Sequence, residues 1–272
     1  RSDLFYSEPD KDIDIYALLA DYKYNPNAQN EILAGVKTTL INSNNTFLFK
    51  KNGAIDTQRS NNFYYEEKNL EAYAQYTHSW NKIELSAGLR MEYMHTYNRL
   101  KSQTNQDSET NKQSHFRLFP NLSASYTINE KSKIALLYSR RQDKPRYEDL
   151  NPFEYLLDEL TYWKGNPFLE PQISNKIMLS YTLGNLSLNL YYNKLNDYFT
   201  PITDVYGENK TVMTTKNIGK QQQIGLDAIF SKRVASWWQF SANAGLYYFM
   251  NKLDYETYKH EYKRPSCFLS AT

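Results

Sequence analysis

The sequence predicts an all-β protein whose strands form an antiparallel transmembrane β-barrel. Three observations carry that expectation. Apolar and polar residues alternate along most of the chain, every second connection is short, and aromatic residues gather at the ends of the alternating stretches. The alternation is plainest in "KIELSAGLRMEY" (82–93). There Ile83, Leu85, Ala87, Leu89, Met91 and Tyr93 share one face, and Lys82, Glu84, Ser86, Gly88, Arg90 and Glu92 share the other. Successive strand side chains point to opposite faces, so this pattern asks for a sheet with one apolar side. "NLSLNLYYN" (185–193), "IGLDAIFS" (224–231) and "WQFSANAGLYYFM" (238–250) repeat it, and a helical period fits none of them.

Taken in order, about eleven strands are expected, near residues 12–24, 30–42, 69–80, 82–97, 114–128, 131–143, 172–183, 185–199, 211–232, 236–250 and from 264 onward. The ninth should bulge at Gly219, because an interior glycine often marks such a site. Short turns are expected at 25–29, 79–81, 129–131, 184–185 and 232–236. Long polar loops are expected at 43–68, 98–113, 144–171, 200–210 and 251–263, with "NSNN" (42–45) and "SQTNQDSETNKQ" (102–113) at loop tips. Outer-membrane barrels keep one set of turns tight and the opposite loops long. A soluble sandwich has no reason to do so.

The dimensions agree. From Trp238 to Tyr248 is roughly 34 Å of strand at ~3.4 Å per residue; tilted by ~40°, it rises ~26 Å, close to the apolar band of such barrels. Tyr76, Trp80, Tyr126, Trp237 and Trp238 fall near short turns, and Tyr93, Tyr97, Tyr192, Tyr198 and Tyr248 near long loops. An apolar ring with one polar end suits both membrane interfaces.

Composition narrows the function. The net charge is +2 with no basic stripe, which argues against nucleic acid. No run approaches the ~18–20 apolar residues of a spanning helix, which excludes helical spans only. Cys267 has no partner for a disulfide. His78, His95, His115 and His260 show no metal-ligand spacing, so neither a metal nor another cofactor is expected. Phosphate-loop, nucleophile-elbow and Cys-x-x-Cys patterns are absent, so an enzyme is not expected. Asp149, Glu154, Asp158 and Glu159 cluster, but read as a hydrated loop.

The longest connection carries the most information. "YSRRQDKPRYEDLNPF" followed by "GNPFLEPQ" resembles the barrel segment of TonB-dependent receptors, in the outer-membrane β-barrel family typical of Bacteroidota. The matching positions are Ser139, Arg140, Pro145, Tyr147, Leu150, Asn151 and Pro152, then Gly165, Asn166, Pro167, Leu169 and Pro171. Gln172 stands where Glu is usual. "NIGKQQQIGLDAIF" (217–230) resembles a strand entry of the same family.

The resemblance implies a barrel of about 22 strands, a plug and a segment that contacts TonB. Residues 1–272 then read as a fragment of one barrel domain, with the plug and the signal peptide outside it. The implied role is uptake of a small nutrient across the outer membrane of a Gram-negative bacterium. Its partners would be membrane lipid, the TonB system reached through N-terminal parts beyond this stretch, and a surface lipoprotein. The alternatives are a passive porin-like channel and a surface barrel acting as enzyme or adhesin.

Within 144–171 the residues point two ways. Arg146, Tyr147, Phe153, Tyr155, Tyr162 and Trp163 offer cationic and stacking surface for a ligand or partner. Equally, the aromatics could pack on one another and fix the loop. A helical turn is expected over 153–160, and residues 153–163 are expected to make no ladder bonds.

Overall fold

The computed structural model describes residues 5–57, 60–102, 108–158, 160–206, 210–255 and 258–272. One sheet dominates. Its eleven long strands are β1 (Phe5–Asn27), β2 (Asn30–Lys51), β4 (Asn61–Trp80), β5 (Ile83–Ser102), β6 (Ser108–Asn129), β7 (Ser132–Asp143), β10 (Gln172–Leu183), β11 (Leu186–Tyr206), β12 (Lys210–Ala235), β13 (Trp238–Tyr255) and β14 (Tyr258–Ala271). Each pairs antiparallel with the next in that order. Three short strands complete it: β3 (Ala54–Ile55), β8 (Glu154–Leu156) and β9 (Thr161–Lys164). This is an open sheet belonging to part of a barrel, and the eleven expected strands are all present.

The faces follow the alternation. Ile83, Leu85, Leu89, Met91 and Tyr93 are exposed on the outer face, while Glu92 and Met94 are buried on the inner one. Across the sheet Ala87 pairs with Tyr76 and Leu122, and Leu190 with Leu179 and Leu226, so the apolar face is continuous from strand to strand. Trp80, Tyr126 and Trp238 stand exposed near the tight turns. Tyr93, Tyr192 and Tyr248 stand exposed toward the other end. At the turn end each described link leaves two residues between strands, and Asn81 and Gly184 take positive φ there.

The other end corrects the expected loops. Residues 43–51, 61–68, 98–102, 108–113, 200–206, 251–255 and 258–263 are paired strand. Asn42 pairs with Glu66 and Asn44 with Tyr64, so "NSNN" lies inside β2 rather than at a loop tip. Residues 108–113 belong to β6, and 103–107 lie outside the described residues. The physical reason is that the adjacent strand supplies ladder bonds to polar residues whose own strand preference is weak. Gly219 does mark an irregularity: Tyr198 pairs with Gly219 but Phe199 with Asn217, so Ile218 bulges out and Asp197 takes φ 54°.

Among the described residues only 144–171 remains a long connection, and its interior also differs from expectation. The helical turn is α1 (Tyr147–Leu150), not 153–160. Beyond it, β8 and β9 form a small hairpin. Asp158 makes its turn by accepting hydrogen bonds from the backbone N–H groups of Leu160 and Thr161. Residues 153–163 do make ladder bonds, since Thr161–Trp163 pair in parallel with Thr211–Met213.

Candidate functional site

The 144–171 segment leaves β7 and crosses the inner face of the sheet. At one extreme the Lys11 Nζ of β1 lies 3.6 Å from Glu148 Oε1. At the other, β9 joins the edge of β12. Between them it touches β2, β4, β5 and β6, so it spans the mouth of the curved sheet like a strut.

Its seat is aromatic. Phe47, Phe49, Phe63 and Tyr65 of β2 and β4 point inward and are buried with Leu150, Phe153 and Leu169 of the segment. Phe153 is 1% exposed and its ring centroid lies 5.1 Å from that of Phe47. Tyr155 meets Phe47 edge-on at 5.3 Å, and Tyr147 lies 5.5 Å from Tyr65. Such ring pairs add directional attraction to area burial. Tyr147 is also pushed up to about 12, by burial first and the nearby Glu67 charge second.

The family-like motif closes on itself here. Asn166 N donates to Asp149 O, and a Cβ on Gly165 would lie 2.1 Å from the Asn151 carbonyl oxygen. Only glycine permits that approach. Asn98 and Asn111 both donate through Nδ2 to Pro167 O, at 3.2 and 3.3 Å. Asn166 Nδ2 donates to Thr215 O, while Glu170 and Asn217 exchange two hydrogen bonds. These bonds fix the C-terminal part of the strut, residues 166–170, to β5, β6 and β12.

Below the aromatic seat lies a charged belt. Lys144 Nζ is 2.7 Å from Glu67 and 3.4 Å from Glu92, whose side chains are almost fully buried. Gln142 donates to Glu92, and Arg90 sits 2.8 Å from Glu71. The belt and Tyr147 line a cavity of about 330 Å³. Nearer the turn end a cavity of about 790 Å³ opens against Gln75, Arg90, Asn121, Arg141 and Lys176. The Arg90 guanidinium rests over Phe119 and the Lys176 ammonium over Tyr191, so ring faces hold both cations in place. The inner wall can thus offer cations and amides to a polar solute.

The six candidate residues do not converge on one point. Phe153, Tyr155 and Tyr147 pack into the seat. Tyr162 is buried, with Lys210 Nζ 4.6 Å from its ring centre. Trp163 is half-buried in β9, and the Arg146 side chain is 79% exposed beside Asp149. Glu154 is held below the ordinary carboxylate range; burial opposes its charge, but Lys210 and Lys164 outweigh it. Glu159 lies outside the described residues. Sequence reasoning missed Phe47, Phe49, Phe63, Glu67 and Glu92. The period-2 spacing of Phe47 and Phe49, and of Phe63, Tyr65 and Glu67, was the available signal. No group of three or more metal-ligating side chains occurs among the described residues.

Comparison with known proteins matches this architecture. All residues 1–272 fit the model of the outer membrane protein beta-barrel family. No curated protein matches the chain. Among solved structures, the chain is similar to the ferric yersiniabactin uptake receptor FyuA from Yersinia pestis, with a TM-score of 0.60 at 11% identity, covering 100% of this chain and 47% of that one. It is similar to the copper transporter OprC, with a TM-score of 0.61 at 12% identity, covering 92% and 39%. The ferric-catecholate import receptor Fiu from E. coli K12 gives 0.58 at 12%, covering 91% and 43%. The chain spans less than half the length of these three, and at such identities the likeness concerns the fold. With strand order, lipid-facing alternation and family match in agreement, the chain belongs to the outer membrane protein β-barrel family and resides in the outer membrane of a Gram-negative bacterium.

Proposed function

We propose that this chain is the strut-bearing part of a receptor that takes up a scarce nutrient. Energy would come from the TonB system, engaged through parts of the protein beyond this stretch. The observation that carries the reading is the 144–171 segment, seated on buried aromatics of β2 and β4 and paired with β12. A passive pore conducts best with an open mouth, whereas a rigidly held crossing element suits a gated, ligand-binding one. Loops on a rigid scaffold commonly carry recognition. Arg146 and Trp163 are the proposed contacts to a ligand or a surface lipoprotein. Tyr147, Phe153, Tyr155 and Tyr162 hold them in position.

The fold neighbours are receptors or transporters for ferric yersiniabactin, ferric catecholate and copper, which makes metal chelates the first ligands to try. Cells carrying the full-length protein would be offered labelled ferric chelates, oligosaccharides and peptides, with and without a proton-motive force. Saturable accumulation that stops on de-energising supports the receptor. Non-saturable flux that persists in de-energised cells establishes the porin-like channel instead.

A further inference from the structure

The outer wall carries a feature that bulk lipid contact does not require. Near the turn end of β4–β7 an apolar groove of about 480 Å³ runs along the sheet. Its floor is Ala87 and Ala124, and its walls are Tyr76, Trp80, Leu136 and Tyr138. Leu85 pairs with Ala124 and Ala87 with Leu122, so two small residues open a furrow among large ones. All four strands have both neighbours in place, so the groove does not depend on the rest of the barrel.

One end of this groove is polar. Asn30 Nδ2 donates to Asn27 Oδ1, which turns Asn30 Oδ1 toward β4. That oxygen accepts from Tyr76 OH and lies 2.6 Å from His78 Nδ1. The arrangement requires the proton on Nδ1, so the ring's Nε2 is left as an acceptor in the neutral tautomer. The Trp80 indole meets the His78 ring edge-on at 4.0 Å.

We propose that this groove is a binding site for a phospholipid with an ethanolamine headgroup, drawn from the leaflet on the tight-turn side. The furrow takes one acyl chain. The headgroup ammonium sits beside the touching His78 and Trp80 rings, donating an N–H to the His78 acceptor at the edge of the aromatic pair, which suits an N–H-bearing cation. Lipid is the occupant because this face is continuous with the membrane-facing wall. The polar cluster at a single end selects an amphiphile over a plain hydrocarbon.

The full-length protein, purified in detergent, would be delipidated and titrated with phosphatidylethanolamine or phosphatidylglycerol, with bound lipid counted by native mass spectrometry. One tightly held phosphatidylethanolamine is expected, favoured over phosphatidylglycerol by about tenfold. Filling the furrow with Ala87→Leu and Ala124→Leu should abolish retention of either lipid. His78→Phe should keep retention but erase the preference. Heat-modifiable gel migration verifies assembly, and Ala124→Val replaces the double variant if that one fails to assemble. Undiminished retention in an assembled filled variant overturns the site, and equal retention of the two lipids by the unaltered protein overturns the headgroup assignment.

Discussion

The carbonyl oxygen of Asn151 occupies the space that a side chain on Gly165 would need, 2.1 Å from its ideal Cβ. The two residues belong to the two halves of the same motif, fourteen positions apart in the chain and in contact in the fold. Gly165→Ala should therefore push the halves apart, at the ~1–3 kcal/mol typical of overpacking. Faster hydrogen exchange confined to 144–171, with the long strands unchanged, is the expected result. Unchanged exchange would show that the contact is relaxed at no cost.

Phe153 and Arg146 separate the packing of the strut from the ligand contact proposed for it. Phe153→Ala removes a buried ring and should loosen the seat by ~3–5 kcal/mol, read as protease cutting within the segment. Arg146→Ala, at an exposed position, should leave protease resistance unaltered yet weaken ligand uptake. Loss of uptake in neither variant would place recognition elsewhere.

Lys144 serves two buried carboxylates at once. Lys144→Met leaves Glu67 and Glu92 without their shared cation, so thermal stability should drop toward the low end of ~3–5 kcal/mol, because the Lys144 side chain keeps 32% of its surface exposed. Adding Glu67→Gln should recover part of that loss. A double variant as unstable as the sum of the single ones would argue against direct pairing.

Low pH should release the hairpin from β12. Glu154 ionises more readily in the fold than in an unfolded chain, owing to Lys210 and Lys164. Its stabilisation is then complete above the ordinary carboxylate value and lost as pH falls through the depressed one. Exchange at Thr211–Met213 should rise over that acidic range, and Glu154→Gln should remove the dependence. A profile that Glu154→Gln leaves intact would assign the effect to another group.

Charge on the two faces should be tolerated unequally. Leu85 and Leu89 are about two-fifths exposed on the outer wall, whereas Ser86 lines the inner cavities. Leu89→Arg should cost ~2–4 kcal/mol in unfolding from lipid, and Ser86→Asn much less. Equal costs would contradict the assignment of faces.

Period 2 determined which way Leu85, Ser86, Leu190 and Tyr248 point, because a strand leaves each side chain only two directions. The same reading located the tight turns, and the motif from Tyr147 to Pro171 marked the crossing segment at 144–171. It could not place the strand ends. Asn42–Asn45 and Lys112 have little intrinsic claim to be strand, and become so because Glu66, Tyr64 and Tyr97 face them across a ladder. Nor could it seat Phe153 on Phe47, which stands 106 positions earlier in the chain. That contact, like the sharing of Lys144 between Glu67 and Glu92, exists only because the sheet curves and brings β2, β4 and β5 beneath the same crossing segment. Local alternation fixes a side chain's face, but its partner is chosen by register and curvature, which act over the whole sheet.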